Sequence, residues 1–305
     1  MIKKESSCSL YFMMVGAMIV WGLSWTNAKI LGTYADPLIL MFWRFVIAGF
    51  GFLPILPFIK QSLKLNKENF FFVILNAFFI TLYNYFYFKG TQIGLAGAGG
   101  VLVTTLNPIF TFLLTLLIYN KTASKKDFVG IIMGLAGGGL IMNIWNFSLN
   151  SLLVSGNLYF LLCALSWVFV TLITSKSKTK IHIIPFSFWS FSISAIFTVP
   201  FITNLPIMEV FQFDMIFWTN FLMVSIGSMT VATTIYFLGT TQLGSEKASA
   251  FIFTVPVSAM GFSIIFLGEK LELFTAIGGI FAITAVYLIN RNPEKAQLLN
   301  NEIEK

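Results

Sequence analysis

Tyr87-Phe88-Lys89-Gly90-Thr91 returns, with one change, as Tyr236-Phe237-Leu238-Gly239-Thr240. Each copy ends an apolar stretch, and a Gln-x-Gly turn follows it, with Gln92 and Gly94 after the first copy and Gln242 and Gly244 after the second. Five apolar stretches separate the two copies. If each stretch crosses a bilayer, an odd number of crossings places the copies on opposite sides. The repeat therefore predicts two halves of inverted orientation.

The composition is that of a membrane protein. Of the 305 residues, 57% are hydrophobic and 10% are charged, and the mean hydropathy is +0.85. Soluble chains carry about 25% charged residues. Apolar runs of roughly 20 residues follow one another from Leu10 to Asn290, and each is long enough to span a bilayer as a helix. The predicted fold class is an all-α polytopic membrane protein.

Ten transmembrane helices are predicted, and the charges in the loops between them test this number. The spans are residues 10–30, 37–59, 69–89, 97–119, 127–145, 155–175, 184–203, 215–240, 247–267 and 273–290. Fifteen of the 19 lysines and arginines then fall on one side, while the other side holds only Lys270 among five acidic residues. Positive loops stay in the cytoplasm. Both termini are therefore expected in the cytoplasm, in a bacterial inner membrane. The basic charge reflects this topology, and no nucleic-acid partner is expected.

The repeat extends beyond the two helix ends. Pro108 has its counterpart in Pro256, 148 residues later, and Trp21 has its counterpart in Trp167, 146 residues later. Helices 1–5 and 6–10 are thus predicted to form two related halves, residues 1–148 and 149–305. Inverted repeats of this kind are typical of transporters that open alternately to the two sides of a membrane.

Several short motifs follow one another along the chain. They are Trp21-Gly22-Leu23-Ser24-Trp25, Arg44-Phe45, the two Tyr-Phe-x-Gly-Thr helix ends, Pro108, Pro256 and Gly268-Glu269. In this order the chain resembles the EamA family of the drug/metabolite transporter superfamily. One departure is that Asn120-Lys121 stands in the first half where the second half has Gly268-Glu269. The resemblance implies ten helices in two inverted five-helix repeats, a central cavity, and movement of small metabolites such as amino acids, often outward.

The predicted function is secondary transport by alternating access. The expected cargo is an amino acid, with aromatic ones included, and the expected direction is export. Two alternatives stay open: uptake or exchange of a larger planar metabolite such as riboflavin or S-adenosylmethionine, and, in a different class, a passive channel or membrane scaffold. No carboxylate lies well inside a predicted span, which favours uniport or exchange over proton coupling and disfavours efflux of cationic drugs. The expected partners are a small-molecule substrate and the bilayer, with the chain as monomer or homodimer.

Matching polar faces on the third and eighth predicted helices are candidates for binding substrate. Side chains at helical spacing form them: Tyr83, Asn84 and Tyr87 in the third helix, Thr233 and Tyr236 in the eighth. Such faces point into a helix bundle rather than at lipid. Interhelical hydrogen bonding is the alternative interpretation.

Two further groups of residues complete the predicted binding site. Trp21 and Trp167 occupy matched mid-membrane positions, which suits stacking on a flat cargo, although plain packing is the alternative. Thr105 and Asn107 precede Pro108, whose missing N–H frees a carbonyl one turn earlier. Pro108 and Pro256 are therefore predicted to have structural or gating roles.

Three basic residues lie within the predicted spans. Lys29 is predicted to pair with a substrate carboxylate, or else to extend to the membrane interface. Arg44 is predicted to be structural or gating, bonded to helix-end carbonyls or to Asp36. Lys89 is predicted to anchor its helix at the interface.

Enzymatic chemistry is not expected. The chain's single histidine, His182, lies in a predicted cytoplasmic loop, and no pair of carboxylates or cluster of metal ligands falls inside the spans. Cys8 and Cys163 imply neither a disulfide nor a thiolate site. We therefore predict no catalytic residues, no cofactor and no metal.

Overall fold

The computed structural model describes residues 7–54, 56–58, 63–119, 125–142, 145, 156–177, 181–252 and 254–290. These residues form helices and no strand. In chain order the helices are α1 Ser7–Leu31, α2 Pro37–Phe50, α3 Lys67–Ile93, α4 Ala96–Tyr119, α5 Lys125–Met142, α6 Asn157–Ser177, α7 Ile183–Ile202, α8 Met215–Leu243, α9 Ser245–Phe251, α10 Thr254–Leu267 and α11 Leu273–Asn290. Short 3-10 helices occupy Leu56–Phe58 and Ile207–Gln212.

Six of these helices are long and apolar enough to cross a membrane, namely α1, α3, α4, α6, α7 and α8. Shorter apolar helices accompany them in the described residues, at Pro37–Phe50, Phe128–Ile141, Thr254–Leu267 and Leu273–Ala285. The chain is therefore a multi-pass membrane protein, and the prediction of an all-α polytopic fold is confirmed.

Helix α2 is shorter than the predicted span of 37–59. It begins well, because Asp36 accepts a hydrogen bond from Leu38 N at 2.8 Å and Pro37 fits the first helical turn. It ends at Phe50, where Gly51 follows. Pro54 and Pro57 come soon after, and prolines cannot donate the bonds that would continue the helix. The chain therefore leaves the helix about two turns early.

Helix α3 is longer than predicted and contains the whole first repeat motif. It continues past Lys89 to Ile93, and the Thr91 hydroxyl donates to Tyr87 O at 2.8 Å inside the last turns. Asn66 caps its start by accepting from Asn69 N at 2.7 Å. The repeated pentapeptide is therefore the last part of a helix, as predicted, and Gln92 of the Gln-x-Gly sequence still belongs to that helix.

Helix α8 is not uniformly α-helical, contrary to the prediction for 215–240. Residues Met223–Ala232 form a π-helical segment, in which backbone bonds reach back five residues instead of four. Two hydroxyls follow the same spacing: Thr230 donates to Ser225 O at 3.4 Å and Thr233 donates to Ser228 O at 3.1 Å. These wider turns leave backbone carbonyls within reach of side chains from other helices.

The predicted helix 247–267 is interrupted near its start. α9 ends at Phe251 and α10 begins at Thr254, with residue 253 outside the described residues. Pro256 cannot donate a backbone bond to the residue one turn earlier, Ile252, whose carbonyl accepts instead from Val255 N at 2.9 Å. Pro108, by contrast, lies within the unbroken α4.

The helices pack in pairs that each join one of α1–α5 to one of α6–α11. α2 packs on α7, α4 on α10 and α5 on α11; α3 packs on α6, as α8 packs on α1. α1 and α10 approach closely at Gly22, where an added Cβ would lie 2.0 Å from Ser258 Oγ. Packing of this kind depends on small residues because two backbones must come near each other.

Candidate functional site

A small cavity lies where α1, α2, α3, α4, α6 and α8 converge. Its volume is about 20 Å³, room for about one water molecule. Ile252, in the break between α9 and α10, closes one part of it. The lining consists of Trp21, Ser24, Trp25, Arg44, Tyr83, Val103, Thr104, Asn107, Trp167, Ser228, Met229, Thr233 and Ile252.

Aromatic rings from α1, α3, α6 and α8 pack together at one side of the cavity. Trp21 and Trp167 meet edge to face, with ring centroids 5.1 Å apart. Tyr83 packs on Trp167 at 4.6 Å, and Tyr236 packs on Trp21 at 5.0 Å. Trp167 Nε1 is buried without a hydrogen-bond partner. The hydroxyl of Tyr236 is near it but bonds with Thr171 Oγ1 at 2.9 Å.

Arg44 brings a positive charge to the same cavity. Its NH1 group donates to Asn84 Oδ1 at 2.7 Å, NH2 donates to Ser228 Oγ at 3.2 Å, and Nε donates to Val224 O at 3.3 Å. The guanidinium also lies 5.1 Å from the ring centroid of Tyr87, a cation–π distance. Of the two predicted kinds of partner, Asp36 instead caps α2, whereas a helix carbonyl does accept from Arg44, at Val224.

The π-helical segment of α8 explains how Arg44 and Trp21 find backbone partners there. Val224 O accepts from Arg44, and Ser228 O accepts from Trp21 Nε1 at 3.3 Å. Ser228 O also accepts the backbone N–H of Thr233, five residues later, so this carbonyl is shared between the helix and Trp21. The irregular turns therefore bind two side chains that face the cavity.

The two repeat tyrosines play parallel parts behind the lining. Tyr87 donates its hydroxyl to Ser24 O, three residues after Trp21. Tyr236 bonds with Thr171, four residues after Trp167. Each tyrosine thus ties a repeated helix end to the helix that carries the matched tryptophan.

Helix α4 contributes the polar floor. Asn107 Nδ2 donates to Ala164 O at 3.3 Å, and the Thr104 hydroxyl donates to Gly100 O one turn back. Thr105 faces away from the lining and donates to Val101 O at 2.7 Å. Pro108 follows one turn after Thr104, so it is next to the polar residues that α4 contributes to the lining.

At one end of the bundle, a carboxylate and an ammonium bind helix ends. Glu269 accepts from Ala96 N and Gly97 N, each at 2.9 Å, and so caps α4. Gly268, with φ of 65°, makes the left-handed turn that ends α10 and presents this carboxylate. Lys29 Nζ donates to Gln92 O at 3.1 Å and Gly94 O at 2.7 Å. Asn120-Lys121 lies outside the described residues.

A second link at that end joins the loop after α1 to α8. The Tyr34 hydroxyl donates to Asp214, with oxygen–oxygen distances of 3.0 and 3.1 Å. Asp214 also accepts from Phe217 N at 2.9 Å, which lowers the pKa of the Asp214 carboxyl. The partial burial of the Tyr34 hydroxyl, together with this carboxylate, raises the pKa of Tyr34.

The structure brings some of the predicted substrate-binding residues together and leaves others outside the lining. Those that line the cavity are Trp21, Tyr83, Asn107, Trp167 and Thr233, together with Arg44. Those outside the lining are Lys29, Asn84, Tyr87, Thr105 and Tyr236. Asn84 and the two tyrosines lie one layer behind it, whereas Lys29 is occupied at the helix ends.

Several lining residues were not among the predicted site residues. They are Ser24, Trp25, Val103, Thr104, Ser228, Met229 and Ile252. Ser24, Trp25 and Thr104 sit in motifs that the sequence singles out, so their neighbours in sequence gave a usable signal. Ser228 lies in the π-helical segment, which no sequence pattern reveals. In the described residues no group of three His, Cys, Asp and Glu side chains is placed to hold a metal ion.

Apolar spanning helices around a buried polar and aromatic cavity define a multi-pass membrane protein of the transporter class. The chain belongs to the EamA-like transporter family, whose sequence profile matches residues 9–143 and again 154–291. This confirms the resemblance drawn from the motifs.

Relatives of known sequence span nearly the whole chain. "Uncharacterized transporter" of Archaeoglobus fulgidus is 26% identical over 277 residues, which cover 89% of this chain and 93% of that protein. "Uncharacterized transporter YvbV" of Bacillus subtilis is 27% identical over 302 residues, which cover 92% and 90%. A solved structure described as "Crystal structure of protein" matches with a TM-score of 0.67 and 18% identity, over 98% of this chain and 100% of that one, so the two share a fold.

Proposed function

We infer that the protein is a secondary transporter that moves a small metabolite across a bacterial cytoplasmic membrane by alternating access. The cargo class is amino acids, aromatic ones included. The direction is outward, which rests on the resemblance to metabolite exporters. The observation that carries the inference is the small cavity lined by Trp21 and Trp167, the matched tryptophans of the two predicted halves.

The size of this cavity supports a mechanism in which helices move. Sites that enclose small molecules have volumes of about 300–1,000 Å³, whereas this one measures about 20 Å³. An amino acid therefore enters only when the helices around the cavity separate. Alternating access requires such a closed state between the two open ones.

Two inverted five-helix halves, residues 1–148 and 149–305, supply the moving parts. The family profile matches the chain twice, once in each half. The contacts are also reciprocal: α3 of the first half packs on α6, the first helix of the second, and α8 packs on α1 in return. Equivalent contacts on both sides of the cavity suit a rocking motion in which one set opens as the other closes.

Two links at the Glu269 end support its assignment as the outer gate. Glu269 joins the loop after α10 to the start of α4, and Lys29 joins α1 to the end of α3. The loop charges put this end outside and both termini in the cytoplasm. Breaking these links would free the outer ends of four helices.

Counterflow in proteoliposomes tests the proposal. Vesicles preloaded with unlabelled amino acid should take up the labelled compound transiently and saturably, and Trp167→Ala should abolish this uptake. Trp145→Ala is the matched control, because Trp145 is exposed and does not line the cavity. Flux without saturation or counterflow would indicate a channel, and no flux with any amino acid would refute the proposed cargo. Competition by riboflavin or S-adenosylmethionine would shift the cargo class to larger planar metabolites.

A further inference from the structure

Arg44 is a buried cation whose contacts in the described chain are all uncharged. Its side chain is 3% exposed, and its hydrogen bonds go to an amide, a hydroxyl and a backbone carbonyl. A charge within a membrane protein normally has a partner of opposite sign or a functional ligand, because its removal from water is costly. No carboxylate of the described residues meets this requirement for Arg44.

The guanidinium also keeps hydrogen-bonding capacity. Arginine has five N–H donors, and three of them are occupied, one each on Nε, NH1 and NH2. Two N–H groups therefore remain, one on NH1 and one on NH2. Paired donors of this kind match the two oxygens of a carboxylate.

The residues around Arg44 limit where such a carboxylate can reach the guanidinium. The rings of Tyr87 and Phe88 lie 5.1 and 5.5 Å from the guanidinium carbon, so they cover part of the group. Arg44 also lines the cavity, together with Trp21 and Trp167. Trp167 Nε1 is buried, with the Tyr236 hydroxyl as a near neighbour.

We propose that Arg44 is the residue that selects the cargo, by binding its carboxylate while the aromatic wall of Trp21, Tyr83 and Trp167 holds an apolar body. The cargo class is therefore monocarboxylates, with or without an amino group. One fixed positive charge in the described lining matches one negative charge, which argues against phosphate dianions. This inference rests on the proposed transport function and narrows its substrate class.

Lys29 is the competing anchor. Its ammonium is already bonded to Gln92 O and Gly94 O and does not line the cavity. Lysine would also present a point charge rather than a planar pair of donors. Exchanging each basic residue in turn therefore separates the two hypotheses.

Ligand analogues test the proposal on the unaltered protein. Purified protein in detergent is titrated with L-phenylalanine, 3-phenylpropionate, phenethylamine and L-phenylalaninamide, and the shift in unfolding temperature gives each affinity. The two carboxylates should bind, with or without the amino group. The two compounds that lack a carboxylate should bind at least about tenfold more weakly, because a charge-assisted pair of hydrogen bonds is lost.

Substitutions then locate the anchor. Arg44→Lys keeps the charge but loses the paired donors, and should weaken 3-phenylpropionate binding at least about tenfold. Arg44→Gln should abolish the preference for the acid over the amide. Lys89→Gln is the control, because the hydrogen bond that the described residues give Lys89 goes to Gln92 Oε1 at 3.4 Å, outside the lining. It should leave both affinities unchanged. Lys29→Gln should leave the preference intact.

The outcomes that overturn the proposal are distinct from those that overturn transport. Equal affinity for acid and amide in the unaltered protein, or no stabilisation by either carboxylate, would refute Arg44 as a carboxylate anchor. Loss of the preference in Lys29→Gln but not in Arg44→Gln would do the same. Selective carboxylate binding without counterflow would refute transport but leave the anchor standing. Counterflow of phenethylamine as fast as phenylalanine would leave transport standing and refute the anchor.

Discussion

Trp21 and Trp167 meet edge to face at the middle of the helix bundle, with ring centroids 5.1 Å apart and ring planes at 88°. They lie 146 residues apart, and the repeat predicts that they occupy equivalent places in the two halves of the chain. Their contact joins α1 to α6, so the two halves touch through their corresponding residues. Both rings also line the cavity.

The first prediction concerns the energy of this contact. Trp21→Leu and Trp167→Leu should each destabilise the protein, and the double variant should lose less than the sum. The expected coupling is about 0.5–1.5 kcal/mol, the range for edge-to-face aromatic pairs. A double-mutant cycle in reversible unfolding with denaturing detergent would measure it. Trp21 with Trp218, whose ring contacts are with Phe211, Phe217 and Phe221, serves as control. Coupling there equal to that of the Trp21–Trp167 pair would contradict the prediction.

The second prediction concerns the packing of α5 against α11. A Cβ at Gly278 would lie 2.6 Å from Gly137 O, a backbone atom, whereas a Cβ at Gly279 would lie 3.7 Å from Val101 Cγ1. Gly278→Ala should therefore force the helices apart and cost roughly 1–3 kcal/mol of unfolding free energy. Gly279→Ala should be neutral or gain up to about 1 kcal/mol from helix propensity. Thermal unfolding of Gly278→Ala and Gly279→Ala measures the change in stability of each variant. Equal changes would refute the close contact at Gly278.

The third prediction concerns pH. His182 caps α7, where its Nδ1 accepts from Ile184 N at 3.4 Å, and partial burial lowers the pKa of His182. The folded protein therefore binds this proton less readily than the unfolded chain, whose histidine has a pKa of about 6.5. Stability should fall as pH drops through about 6.5 and below, because a charged imidazole opposes the cap and the helix dipole.

His182→Asn provides the matched comparison, because asparagine caps a helix without titrating. The wild-type protein should lose about 0.3–1 kcal/mol of unfolding free energy as the pH falls from about 7 to about 5, and the variant should not. Unfolding temperatures at both pH values would show this. An identical pH dependence in the variant would show that other groups cause it.

The fourth prediction concerns Glu269. Its carboxylate binds the amides of Ala96 and Gly97, so Glu269→Gln should weaken this cap by about 0.3–1 kcal/mol. The amides at the start of α4 should then exchange their hydrogens faster, which mass spectrometry can follow. Glu209→Gln removes an exposed charge elsewhere and should leave that segment unchanged. Undiminished protection in Glu269→Gln would contradict the role of the cap.

The sequence was sufficient for the class of fold and for part of the site. Long apolar runs predict spanning helices because backbone groups in lipid must bond within their own segment. The repeat brought out Trp21 and Trp167, which meet in the structure as packed rings. Tyr83 and Thr233 also line the cavity, because a polar side chain in a spanning helix turns away from lipid.

Other features depend on register and distant contacts, which the sequence does not display. Nothing in Met223–Ala232 predicts a π-helix, and Val224, whose carbonyl accepts from Arg44, lies in this segment. Lys29 and Arg44 are both cations near helix ends in the sequence. Only the fold distinguishes the ammonium bound to carbonyls from the guanidinium that faces the cavity.

Besides the proposed rocking of the two halves, the wider turns of α8 offer another way to change the cavity. Its start is fixed by the Asp214 cap, and its later part carries Thr233 into the lining. A shift of one residue in the bonding register would rotate everything after it by about 100° about the helix axis. Such a twist would carry Thr233 away from the cavity while the start of α8 stayed in place. Rotation within this one helix would then alter the shape of the site without a rigid movement of either half.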